Sequence, residues 1–271
     1  MLEALSYSFI QHAIIAGIIV SLLSGIIGSL IVVNRMVFLA GGIAHTSYGG
    51  IGMAIYFGLP IFLGASIFAV VAATIIALLT LTNKSRIDTI IGLIWAVGMA
   101  IGILFVDITP GYQINLMSYL FGSILIVSTM DIYYMILLFI VVLFIVIKYY
   151  REILAVSYDM EYASIRGINV KLFYTLILIL SALSIVVAIK VVGLILVIAM
   201  LTIPVYIAEK LSQSLLGMMM ISGIISTILT LIGLIISYMY NISSGASVIL
   251  LDAMVLILFI VYQQIKNRIA K

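Results

Sequence analysis

Hydrophobic residues run in long stretches from Ala13 to Tyr262, broken by short clusters of glycine, proline and charge. Many stretches approach the roughly 20 residues that an α-helix needs to cross a bilayer. With the clusters as boundaries, nine segments emerge, near 10–33, 38–57, 61–80, 88–106, 131–148, 171–189, 191–208, 215–238 and 247–265. They are continuous runs, not the ~10-residue alternating strands of a transmembrane barrel. The pattern predicts an all-α, polytopic membrane protein with one domain over 1–271. It has nine spanning helices if both segments within 171–208 cross, and eight if one is a half-helix. Between them, residues 107–130 hold Asp107, Pro110, Gly111, Asn115 and Gly122 around the apolar stretch Leu116–Val127. That stretch is too short to span and predicts a re-entrant or interfacial helix.

Composition agrees. The chain is 66% hydrophobic and 8% charged, against roughly 45–50% and about 25% in soluble proteins. The net charge of +3 is small and sits in the loops, which argues against a nucleic-acid partner. With no cysteine there are no disulfides and no thiolate metal sites. The first apolar run is longer than a signal peptide and lacks a basic leader, so it is expected to be a retained helix.

Lysine and arginine placement sets the orientation. With the N-terminus outside and nine crossings, Arg35, Lys84, Arg86, Lys148, Arg151, Arg166, Lys171, Lys210, Lys266, Arg268 and Lys271 all fall on the cytoplasmic side. Lys190 alone lies on the outer side or in a buried hairpin. The C-terminus is then cytoplasmic. The longest cytoplasmic connection, 149–170, contains a candidate short helix over Asp159–Gly167. Asp159 can cap it, Glu161 sits in its first turn, Arg166 in its last, and Gly167 can take the left-handed position beyond it. Met160, Ala163 and Ile165 give it an apolar side. Such a helix either lies on lipid headgroups or is held out to a cytoplasmic partner.

Within the second segment stands His45, and Phe38, Gly41, Gly42, Gly49 and Gly52 fall within about 60° of it on a helix. Small-residue faces let helices approach closely in membranes, so His45 is expected to point into the bundle. There it either makes an inter-helix hydrogen bond or lines a permeation path. Neutral imidazole suits zinc and other first-row divalent ions, and a transport site must bind weakly enough to release its ion. Asp252, inside the last span, is either paired with Lys190 or otherwise hydrogen-bonded, or a cation ligand. Asp107 and Asn115 are candidates for an entrance. His12 is expected to be an exposed interfacial residue. Fourteen methionines raise a copper(I) reading, but methionine is also an ordinary packing residue.

These residues resemble the permease subunits of the ABC importers for zinc, manganese and iron. The likeness runs through Arg35-Met36 with Ala44-His45, through Asp88–Ala100 around Gly92, Trp95 and Gly98, and through Leu116–Gly122. It continues in Asp159–Gly167, in Lys190–Val197 with Pro204, and in Ser244–Leu250. The resemblance implies a prokaryotic cell-membrane permease that pairs with a second copy of itself. It also implies cytoplasmic ABC ATPases and an external metal-binding protein that delivers the ion. In that family the short cytoplasmic helix docks on the ATPase, which casts Asp159, Glu161, Ile165, Arg166 and Gly167 as coupling residues. The chain has no Gly-x-x-x-x-Gly-Lys-[Ser/Thr] loop, so ATP belongs to the partner. No cofactor is expected to stay bound. The metal ion is the substrate, with His45 as ligand, Asp252 and Asp107 as further candidates, and Gly41, Gly42, Gly49 and Gly52 packing around the path. Many relatives carry an aspartate four residues before the histidine; here that residue is Gly41. Loss of a hard oxygen ligand tilts the reading to zinc over manganese or iron.

Two other classes are weaker. An intramembrane enzyme needs a nucleophile with a base or a carboxylate cluster, and Thr46 and Ser47 point away from His45 on the helix. A gradient-driven transporter would use His45 and Asp252 as proton carriers.

Overall fold

In the computed structural model, residues 8–81, 86–110 and 127–269 are described. The expected re-entrant helix at 116–127, together with Asn115, Lys84 and Lys271, lies wholly or almost wholly outside them. The described chain folds into eleven helices and contains no strand. They are α1 (Ser8–Val33), α2 (Phe38–Tyr56), α3 (Ile61–Thr80), α4 (Ile87–Asp107), α5 (Thr129–Lys148), α6 (Tyr150–Tyr158), α7 (Met160–Ile165), α8 (Val170–Val192), α9 (Leu194–Leu211), α10 (Leu215–Tyr240) and α11 (Ser244–Ile269). Eight are long and apolar enough to cross a membrane: α1, α3, α4, α5, α8, α9, α10 and α11. The remaining long helix, α2, has 19 residues. Glycine, serine, threonine and histidine replace large aliphatics along it.

The helix directions alternate. At one end, Asn34 and Arg35 of the α1–α2 turn, Ile87 of α4, Ser157 and Tyr158 of α6, and Ser212–Ser214 between α9 and α10 line a common cavity. At the opposite end, Lys190 near the end of α8 forms an ion pair with Asp131 in the first turn of α5. His12 near the start of α1 bonds the Val127 carbonyl at 3.2 Å there. The segments within 171–208 are therefore both complete helices, with α9 about 27 Å long. The reversal between them takes one residue, Gly193, whose φ of 81° is accessible to glycine without a Cβ penalty.

Three expectations are corrected. The 149–170 connection contains two helices, because Tyr150–Tyr158 forms α6 before the short α7. Lys190 is not the partner of Asp252, since Asp131 takes it. A capping box with Ser128 holds the Asp131 carboxylate in place, and the Lys190 ammonium also lies 5.5 Å from the Phe62 ring centre. His12 is half-buried and hydrogen-bonded, not merely interfacial.

The core is centred on α1 and α2. Helix α1 packs on α10, α9, α8 and α5; α2 packs on α4, α3, α8 and α9. Small polar groups join α1 to α10: Ser21 donates to Thr230 at 3.0 Å, and Ser222 donates to the Gly25 carbonyl at 3.1 Å. Without a hydrophobic drive between helices in lipid, close packing and such hydrogen bonds hold spans together.

Candidate site around His45 and the short helix α7

Helix α2 is enclosed because its glycines admit neighbouring backbones. A Cβ on Gly52 would stand 2.8 Å from Gly102 Cα, and one on Gly49 would stand 2.9 Å from the Gly98 carbonyl oxygen. Gly98 and Gly102 form a Gly-x-x-x-Gly pair on α4, so α2 and α4 meet glycine to glycine. Gly42 faces Ile91 of the same helix. Three of the four glycines singled out from the sequence are thus filled by neighbouring helices. Gly41 differs. A Cβ there would meet Ile198 Cδ1 of α9 at an ordinary 3.6 Å, so a β-carbon fits without displacing its neighbours.

The glycine contact between α2 and α4 brings Trp95 of α4 flat against His45, with ring centroids 4.3 Å apart and planes 9° from parallel. Tyr48 stacks more loosely, with ring centroids 6.4 Å apart. The indole N–H donates to Met99 Sδ at 3.2 Å, which fixes the Trp95 ring. His45 Nδ1 is buried and has no hydrogen-bond partner among the described residues. The inter-helix hydrogen bond considered for the histidine is therefore not made through Nδ1. What remains is an imidazole gripped by stacking, with a lone pair or proton to offer. Trp95 was not foreseen as its partner. The signal was available in the shared spacing of glycines on α2 and α4.

The other metal candidates are not gathered around His45. Among the described residues no group of three or more His, Cys, Asp or Glu side chains converges. Asp107 ends α4, exposed and 12 residues from Trp95, about 18 Å along the helix. Asp252 is 1% exposed, and neither carboxylate oxygen has a hydrogen-bond partner among the described residues. Its helix α11 packs on α9 and α10.

At the basic end, α7 has the caps its sequence predicts. Asp159 accepts from the Glu161 and Tyr162 amides at 3.0 and 2.9 Å. Gly167, with φ of 75°, ends it: its amide donates to the Ser164 carbonyl at 2.9 Å and the Ile168 amide to the Ala163 carbonyl at 3.0 Å. Ala163 is buried, and Met160 packs on the core. Ile165 is 86% exposed, so it does not dock on this chain. Arg166 lies just past the helix, its guanidinium 5.2 Å from the Tyr162 ring centre.

Eight long apolar helices around a glycine-faced core helix, with one gripped imidazole among them, define a polytopic integral-membrane bundle. The chain belongs to the ABC 3 transport family, whose profile matches residues 6–263. It is 40% identical over 264 residues to an uncharacterized membrane protein of Synechocystis sp., covering 97% of this chain and 94% of that one. It is 31% identical over 251 residues to the manganese transport system membrane protein MntC of Listeria monocytogenes, covering 93% and 89%. Among solved structures it superposes on PsaBC from Streptococcus pneumoniae in complex with Fab, with a TM-score of 0.83 and 28% identity. That likeness covers 95% of this chain and 93% of the other. The family agrees with the resemblance drawn from the motifs.

Proposed function

We propose that this chain is the membrane-spanning permease of an ATP-driven importer for divalent transition-metal ions, with His45 on the ion's path. The observation that carries the reading is the unpartnered Nδ1 of His45, held by Trp95 on the glycine-faced helix α2. A single imidazole without converging carboxylates suits an ion that passes, since release requires a weak site. The second copy of the permease, the cytoplasmic ATPases and the external binding protein follow from the family. The exposed Ile165 and the capped α7 suit a contact with the ATPase. The clustering of Arg35, Arg86, Lys148, Arg151, Arg166, Lys171 and Lys210 at one end supports a cytoplasmic placement for it. That puts the N-terminus outside and the C-terminus in the cytoplasm of a prokaryotic cell.

Zinc, manganese and iron are the candidate ions, and two of them have specific support. Zinc is favoured by chemistry, because Gly41 supplies no oxygen ligand beside the imidazole. Manganese is favoured by the name of the Listeria relative. The reconstituted complex distinguishes them: with ATPase and binding protein present, zinc, manganese and iron are added singly and ATP hydrolysis is followed. His45→Ala is expected to abolish metal accumulation while assembly is retained. Normal uptake of all three ions by that variant overturns the path.

A further inference from the structure

The cavity at the basic end holds about 700 Å³, within the size range of ligand sites and passages. Its walls come from separate elements. Asn34 and Arg35 form one side, Ser157 and Tyr158 of α6 adjoin them, and Glu209 and Ser212 at the end of α9 lie on the same cavity.

Arg35 stands there in a costly conformation. Helix α1 ends with the Arg35 amide bonded to the Val32 carbonyl at 3.0 Å and the Met36 amide to the Ile31 carbonyl at 2.9 Å. This turn places the residue after the helix in the left-handed region, where glycine is usual. Arginine occupies it at φ of 57°. Local strain of this kind persists where the surroundings hold it, and it concentrates at switch regions. The surroundings here are specific: Asn34 donates to the Leu30 carbonyl at 2.9 Å and to Ser157 Oγ at 3.0 Å. The second bond ties the turn to α6, the helix that leads directly into α7.

The opposing side carries a proline. Pro204 lies inside α9, five residues before Glu209. Its missing N–H leaves one helical carbonyl without a donor, the usual cause of a bend. Glu209 is exposed, with its own neighbour Lys210 at 3.9 Å as its cation. Arg35 makes no ion pair among the described residues. Two opposite charges thus share one cavity, on separate elements, unpaired with each other.

We propose that Arg35 and Glu209 are the two halves of an inner gate. The open cavity is one state of the transport cycle, and in the other the last turns of α9 swing about Pro204 and Glu209 meets the Arg35 guanidinium. The pair gains strength as the cavity closes, because ion pairs are weak in open water and stronger once shielded. The Asn34–Ser157 bond links the Arg35 side to α6 and α7, so movement of α7 by the ATPase sets the gate. This rests on the permease reading above.

The absence of native cysteine makes the test direct. The Arg35→Cys, Glu209→Cys double variant, assembled with its ATPase and binding protein, is treated with a short thiol cross-linker without nucleotide and with trapped ATP. Cross-linking is expected in one state and lost in the other, because the swing of α9 changes the separation of the two positions. In parallel, Arg35→Glu and Glu209→Arg should each lower metal uptake, and the double charge swap should restore it. Arg35→Gly suits the left-handed turn, so it should fold at least as stably as wild type yet uncouple ATP hydrolysis from uptake. Equal cross-linking in both states, a swap no better than its single variants, or full coupling in Arg35→Gly each overturns the gate. Wild-type complex that shows no metal-stimulated hydrolysis overturns the permease reading instead, so the two failures are separable.

Discussion

The imidazole of His45 and the indole of Trp95 lie face to face, 4.3 Å between centroids and 9° from parallel, across the α2–α4 contact. Two glycine pairs make the approach possible, Gly49 with Gly98 and Gly52 with Gly102. The stack orients a ring whose Nδ1 takes no hydrogen bond from the described residues. Orientation of the candidate ligand therefore depends on an aromatic partner from another span.

Trp95→Leu should consequently weaken metal uptake at limiting concentration, whereas Trp95→Phe should keep most of it. Aromatic pairs are worth about 0.5–1.5 kcal/mol beyond burial, which corresponds to about 2- to 12-fold in apparent affinity. Uptake measured across metal concentrations in vesicles checks this. Equal behaviour of the two variants would remove the stack from the function.

Gly52→Ala should destabilise the fold by about 1–3 kcal/mol, the usual cost of overpacking. Its Cβ would meet Gly102 backbone atoms at 2.8 and 2.9 Å, and backbone cannot rotate away. Gly92→Ala inside α4 has nothing within 4 Å and should stabilise by up to about 1 kcal/mol, the helix preference of alanine over glycine. Thermal unfolding of both variants in detergent separates the outcomes.

Gly41→Asp should fold, since its Cβ has ordinary contact with Ile198 only. It would place a carboxylate one helical turn before His45, and oxygen ligands favour manganese relative to zinc. The expected result is a raised manganese-to-zinc uptake ratio relative to wild type. An unchanged ratio would mean that the ion does not pass beside this face.

Lys190→Met should destabilise by about 1–3 kcal/mol, between the values of exposed and fully buried ion pairs. Asp131 would be left 13% exposed with Ser128 as its remaining partner. Adding Asp131→Asn should recover part of the loss, so the double variant should be more stable than the single effects sum to. A double-variant cycle by thermal unfolding measures that coupling.

Ile165→Asp should leave stability within about 0.5 kcal/mol, because an exposed side chain has little to lose. At 86% exposure its apolar surface is free for a partner, so the same variant should lose co-purification with the ATPase. Charge reversal at Glu161 or Arg166 should weaken it similarly.

Much of this protein is written in its order of residues. Apolar runs between charged and glycine breaks place all nine long helices, because lipid requires each span to satisfy its own backbone. Local chemistry also suffices for the caps of α7, where Asp159 and Gly167 act within a few residues of themselves. The tertiary structure alone decided the long-range pairings. Lys190 chose Asp131, 59 residues away, over Asp252. His45 found Trp95 through a glycine contact between non-consecutive spans, and Arg35 came to share a cavity with Glu209. Hydropathy sets where the long helices run, but side-chain partners depend on which faces meet when small residues let the spans close.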